Sequence, residues 1–330
     1  MVCMRRSGLF LFALLYSTKL FGIGEQEFFE QPKTAPRFTG PLLTTSSGVV
    51  PPGHVNVEPY LYVIKSYGNY TGNWKAVRAP IPVWSMDLRL PIKFGIYDRF
   101  GISLNGAISH RYSKDGSATV FGDIPIGIDY QLLKRGPRGI RTPAVKLTVT
   151  QIFPTGKYQH LNPDKRNLQV GGSGVFATIF SVTAGQAFIF ENDHALSPRA
   201  SINYTINPVV HVSGSNAYGG APDTHAKVYR GNTLNAFFGL EYSLTKRWVV
   251  AMDLQYRSRR KTTYRGNPGH SPEGERLSLS GPSGEQLSFA PALEYNWSSQ
   301  MGLIAGTWFT LTGRNSDQFA SGVAAFNYYY

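Results

Sequence analysis

Between Val83 and Ile96 two kinds of side chain alternate without a break. Trp84, Met86, Leu88, Leu90, Ile92, Phe94 and Ile96 take one face, and Ser85, Asp87, Arg89 and Lys93 take the other. A period of two is the signature of a strand with two unlike faces. A strand of this length requires an apolar medium on one side and room for ionised groups on the other. Two architectures meet that demand. One is the wall of a membrane-spanning barrel, with lipid outside and water inside. The other is an exported β-sandwich whose apolar faces turn inward.

The same texture recurs along the chain. Val55, Val57, Leu61 and Val63 alternate with Asn56, Glu58, Tyr60 and Tyr62, and Ile102, Leu104 and Ile108 with Ser103, Asn105, Ser109 and Arg111. Ile124, Ile126, Ile128 and Tyr130 stand against Asp123, Asp129 and Gln131, and Val145, Leu147 and Val149 against Lys146, Thr148 and Thr150. Leu234, Phe238, Leu240 and Tyr242 oppose Asn235 and Glu241, while Trp248, Val250, Met252, Leu254 and Tyr256 oppose Asp253, Gln255 and Arg257. Leu287, Phe289, Leu293 and Tyr295 oppose Ser288 and Glu294, and Met301–Leu311 and Asp317–Tyr330 complete the set. The stretch 171–206 is the least regular. GGSGVFATIFSV reads as a strand without a polar face, FENDHALSP as a turn, and Ala200–Ile206 as a strand again.

These segments add up to an all-β chain, a transmembrane antiparallel up-and-down β-barrel of about twelve strands. Connection lengths support the barrel over the sandwich. Tyr97–Gly101, Ser243–Arg247 and Asn296–Gln300 are short, whereas Ser66–Pro80, Phe153–Leu168, Asn207–Asn232 and Ser258–Pro282 are long and polar. With the first strand running outward, every long connection falls on the outer side, as in barrels with short periplasmic turns and long external loops. Aromatic residues near strand ends (Trp84, Phe94, Tyr242, Trp248, Tyr256, Tyr295) suit the two interfacial girdles.

Arg5 and Arg6 followed by the apolar run Leu9–Tyr16, with Gly22 and Gly24 beyond, predict a secretory signal over 1–24. That run is shorter than the roughly 20 residues of a spanning helix. Residues 25–53, rich in Pro, Gly, Ser and Thr, read as an extended periplasmic leader, and 54–330 as the barrel. The single cysteine, Cys3, lies in the signal, which excludes disulfides and thiolate metal sites from the mature chain. The formal charge is +13, and removal of Arg5, Arg6 and Lys19 leaves +10. The basic clusters Lys134/Arg135/Arg138/Arg141 and Arg257/Arg259/Arg260/Lys261 lie between strand-like segments, where they suit anionic lipid, sugar or phosphate surfaces. A nucleic-acid face would interleave stacking aromatics with such a run, and none is present there. Along the terminal strand Tyr330, Tyr328, Phe326, Ala324, Gly322 and Ala320 share one face. This terminus resembles the closing strand of bacterial outer-membrane barrels, which implies recognition by the barrel-assembly machinery.

A wider resemblance rests on three blocks. They are Phe38-Thr39-Gly40-Pro41-Leu42 with Pro51-Pro52-Gly53-His54 and Glu58-Pro59-Tyr60; Phe121-Gly122-Asp123; and Pro154-Thr155-Gly156-Lys157-Tyr158 with Gly172-Ser173-Gly174. In this order, over residues 38–330, the chain resembles the outer-membrane transporter family named for the MetA pathway of phenol degradation. The resemblance implies a β-barrel in the bacterial outer membrane that passes small, often aromatic or apolar, compounds.

In a barrel the polar faces form the functional surface. The lumen candidates are Glu58, Asp87, Arg89, Lys93, Arg111, Asp123, Asp129, Lys146, Glu241, Asp253, Arg257 and Glu294. Acids and bases nearly match, so most are expected to pair as a ladder, leaving Arg89, Lys93 and Arg111 to meet solute. His211 and Ser213 share a strand face with Asn216 close behind, the residue types of an outer-membrane phospholipase of similar size. They lie beside a Gly/Ser/Asn-rich loop, where the same types serve as turn makers. PTGKY lacks the spaced glycines of a phosphate loop, and no spacing of His, Asp or Glu matches a metal motif. The expectation is therefore a channel or transporter without enzymatic activity or cofactor, in contact with outer-membrane lipid and lipopolysaccharide, with no nucleic-acid partner and an unassigned small-molecule solute. A structural or surface-exposed protein with a plugged lumen is the alternative, and a phospholipase is a further one.

Overall fold

The computed structural model describes residues 38–136, 142–190 and 194–330. The expected signal, leader residues 25–37, Arg138, Arg141 and the Glu191–Asp193 part of the expected turn lie outside the described residues. Twelve strands form the wall: β1 (Tyr60–Tyr70), β2 (Ala76–Tyr97), β3 (Phe100–Ser113), β4 (Ile124–Leu133), β5 (Ala144–Phe153) and β6 (Thr178–Gly185). The second half contributes β7 (Ala195–Ile206), β8 (Thr233–Ser243), β9 (Trp248–Arg259), β10 (Gly284–Asn296), β11 (Met301–Arg314) and β12 (Ser316–Tyr329). Each pairs antiparallel with its sequence neighbours, and β12 pairs back to β1 through Val323↔Tyr62 and Ala325↔Tyr60. The sheet is thus a closed barrel with no open edge among its wall strands. The short strand Val55–Val57 fits between β2 and β12, with Asn56 opposite both Lys93 and Tyr329.

Alternation in sequence becomes alternation in exposure. Along β9, Val249, Ala251 and Asp253 are buried while Val250, Met252 and Leu254 are exposed. In an isolated barrel the exposed apolar residues, such as Leu88 (48%), Ile128 (59%), Ile202 (56%) and Phe326 (36%), are those that face lipid. The inner-end girdle is a chain of rings, Trp248–Tyr295 at 4.7 Å, Tyr295–Trp297 at 5.4 Å and Trp297–Phe326 at 6.3 Å, with Phe100–Tyr130 at 4.9 Å further round. At the outer end Trp84 stacks on Tyr112 at 6.2 Å and Phe153 meets Phe176 at 5.9 Å.

Two parts of the wall differ from the sequence reading. Ser66–Pro80 is not a long loop: β1 and β2 run on as a hairpin that turns only at Thr71–Lys75. A bulge between Ser66 and Gly68 shifts the register there and breaks the period that marks a strand. In the irregular stretch, β6 starts at Thr178 rather than at Gly171, and β7 starts at Ala195 rather than at Ala200. Pro198 sits within β7, and a proline argues against a strand interior because it lacks a ladder donor.

The outer loops are themselves ordered. Val210–Ser213, His225–Tyr229 and Thr263–Asn267 form a three-stranded sheet. Its Val210, Val212, Ala226 and Val228 pack with Val175, Ala177 and Leu279 into a core separate from the one inside the wall.

Candidate functional site: the lumen and its inner belt

The leader does not stop at the mouth of the barrel. Residues 39–51 run as irregular chain, bent at Leu42–Thr44 and Ser47–Gly48, along the inside of the wall near the end that carries the short turns, and they hand backbone donors to buried wall side chains. On β10, Glu294 accepts from Thr39 N at 2.9 Å, and Asn296 accepts from the Thr39 hydroxyl at 2.8 Å. Asp253 on β9, fully buried, accepts from Leu43 N and Thr44 N at 3.0 Å each and from the Thr44 hydroxyl at 2.6 Å. Further round, Gln131 on β4 accepts from Val49 N at 2.6 Å and donates to Ser47 O at 3.0 Å. Gly53 and His54 then pair with Gly95 on β2.

Small wall residues make the room. A Cβ on Gly239 would stand 2.7 Å from the Pro41 ring, and one on Gly95 would stand 1.8 Å from the Pro51 carbonyl oxygen. Leu42 is the apolar foot of this belt, buried against Tyr62, Ala251, Ala290, Ile304, Val323 and Ala325. Above it on the wall of β1, β11 and β12 stands a column of rings. Tyr60 stacks on Tyr62 at 5.8 Å, Tyr62 meets Trp308 edge-on at 6.2 Å, and Trp308 meets Phe319 at 4.5 Å.

The twelve sequence candidates separate into groups. Lys93–Glu58 at 3.5 Å, Arg89–Asp87 at 3.5 Å and Lys146–Asp129 at 3.7 Å are ion pairs. Arg89 also lies 4.6 Å from the Tyr62 ring, and Asp129 accepts from the Thr148 hydroxyl at 2.5 Å. Glu241 pairs with Arg199, which was not among the candidates. Asp253 and Glu294 hold the belt. Asp123, at the outer end of β4, accepts from Gly156 N and Ser173 N at 3.0 and 2.9 Å and so ties the PTGKY segment to the Gly172-Ser173-Gly174 segment. Arg111 donates to Val170 O at 2.5 Å, and Arg257 faces the outer half of the lumen.

Sequence reasoning missed Arg199 because Pro198 hid the start of β7, and it missed Leu42 because a bent, irregular segment shows no periodicity. The phospholipase set is not brought together. Ser213 Oγ lies 3.3 Å from His160 Nε2 rather than beside His211, and buried Asn216 spends its amide on Gly214 O and Tyr218 N within its own turn. Burial pushes the neighbouring Tyr218 hydroxyl up to about 12, and it donates to Ser173 O at 2.8 Å. Among the described residues no group of three or more His, Cys, Asp or Glu gathers as a metal site.

No protein-family model matches the chain, and no curated protein sequence does. Solved structures do match. An outer-membrane channel from Pseudomonas putida F1 superposes with a TM-score of 0.61 at 13% identity, over 86% of this chain and 98% of that one. The transport unit of an Escherichia coli autotransporter, AIDA-I, gives 0.44 at 10% identity over 84% and 90%. A monoaromatic hydrocarbon channel gives 0.41 at 13% identity over 84% and 90%. At these identities the first of them speaks for the barrel fold alone.

Proposed function

We propose that this chain is a channel of the bacterial outer membrane for passive passage of small solutes, with an inner mouth narrowed by its own residues 39–51. The observation that carries the reading is a closed wall, apolar outside and lined inside by ionisable and hydroxyl side chains, the arrangement of a water-filled path across lipid. Twelve strands enclose a lumen between that of side-chain-filled eight-stranded barrels and that of open porins. Aromatic or apolar solutes are the class implied by the resemblance to the MetA-pathway family. The exposed girdle suits outer-membrane lipid and lipopolysaccharide, and β12 with its outward Phe326 and Tyr328 suits capture by the barrel-assembly machinery.

Planar-bilayer recording of the refolded protein tests the channel. Discrete conductance steps are expected. A second reading, a structural protein with a plugged lumen, is favoured by the belt at one end and the packed loops at the other. Silence over many confirmed insertions establishes that reading instead.

A further inference from the structure

Charge is distributed unevenly along the lumen. In the inner half, carboxylates are engaged by Lys93, Arg89, Lys146, Arg199 or the belt. Towards the outer end Arg257 and Arg259 have no such partners. Arg257 and Arg259 lie two residues apart on β9, on the same face as Asp253 and opposite the lipid-facing Leu254 and Tyr256. Arg257 lies within electrostatic reach of both Arg259 and Arg230, and Asp317 is the carboxylate that enters its field. Arg230 reaches the Tyr218 hydroxyl. Among the described residues Arg257 and Arg259 make no ion pair and no side-chain hydrogen bond, while Glu285 at the same rim is taken by Arg314 at 2.9 Å.

Like charges crowded into a narrow, partly dehydrated space repel, and the repulsion is relieved when an anion sits among them. Charged side chains lining a pore set its selectivity, arginine and lysine favouring anions and phosphates. The guanidinium fork also matches the paired oxygens of a carboxylate or phosphate. We infer that Arg257, Arg259 and Arg230 form an oxyanion-binding station in the outer half of the lumen, and that the channel selects small solutes bearing a carboxylate or phosphate. The selectivity half of this inference rests on the channel reading, whereas the binding half does not.

Two measurements test it. In a bilayer under a KCl gradient, the wild-type reversal potential is expected on the anion side, and R257Q/R259Q is expected to move it to zero or to the cation side. A wild-type preference for cations, or a variant that leaves the potential unmoved, overturns the selectivity claim. Calorimetric titration of inorganic phosphate into the detergent-solubilised barrel is expected to show binding that R257Q/R259Q weakens by about tenfold or more. R257K/R259K, which keeps the charge but loses the fork, is expected to keep the anion preference and to bind phosphate with intermediate affinity. Should the bilayer stay silent while phosphate binds and the Gln variant loses it, the station stands and the channel reading falls. Wild-type protein that binds no phosphate overturns the station. The heat-induced gel shift of each variant shows that its barrel is folded, and the Lys variant serves should the Gln variant fail that check.

Discussion

The inner belt and the outer cap both occupy an opening of the same barrel, and they are held there by opposite means. The belt is irregular chain with no ladder of its own. Its donors at Thr39, Leu43, Thr44 and Val49 go one after another to Glu294, Asp253 and Gln131 on the wall. The cap has a sheet, a register and an apolar core of Val175, Ala177, Val210, Val212, Ala226, Val228 and Leu279. The difference is one of concentration. Binding of the belt is focused on a few buried polar groups, each costly to leave unpaired, whereas cohesion of the cap is spread over many small dispersion contacts. The belt is therefore built to fail at one residue and the cap to weaken by degrees.

Asp253→Ala should break this contrast most sharply. Loss of the acceptor for three belt donors is expected to cost about 3–5 kcal/mol. Conductance should rise and thermolysin should cut beside Leu42 while the cap stays protected. A variant with wild-type conductance and an uncut belt defeats the account of Asp253. Leu279→Ala acts on the other region. A cavity in the cap core should cost about 3 kcal/mol, seen as faster amide exchange in His225–Tyr229 with the belt unchanged. If the belt amides exchange faster as well, the two regions are not independent.

The wall between them supplies a reference. Leu88→Arg places a cation against lipid and should cost about 2–4 kcal/mol in refolding titrations into vesicles. Ser85→Arg, three residues earlier and facing the lumen, should cost far less. Equal costs would mean that the inside and outside of β2 have been exchanged. The smallest effect belongs to the edge of the cap, where His270 Nδ1 lies 2.8 Å from Asp223 and holds its carboxyl below the ordinary carboxylate value. A depressed folded-state value adds stability above the unfolded value of about 4, and this is lost as pH falls through the folded one. The His270 amide donates to Asp223 at 3.0 Å. Its protection factor, the intrinsic exchange rate divided by the observed rate at the same pH, should therefore fall in acid. A protection factor indifferent to acid removes the pair from the account.

The wall was legible in the sequence because each strand meets two different media, and the period of two survives as long as pairing is regular. From Trp84 to Ile96 the outer and inner faces can be read residue by residue. Legibility failed where regularity does, at the bulge after Ser66, at Pro198, and at β6, whose small and hydroxylated inner residues leave no charged face to see. The lumen was legible as a list and not as a set of partners. Asp87 with Arg89 sits two apart on one strand, so sequence puts them on the same face. Glu241 with Arg199, or Asp253 with Thr44, depends on which distant segments the closed ring brings together. No spacing rule reaches across 209 positions.

The belt has one more consequence. It is anchored at Asn296, Asp253, Gln131 and Gly95, on strands spread round more than half of the hoop. A ring of twelve hydrogen-bonded strands resists stretching along its circumference but yields easily to flattening, since ovals of different eccentricity share the same ladder. A cord fastened at four points inside such a ring acts as a tie rod and fixes its cross-section. Cutting the cord would then change the outline of the passage as well as clear it.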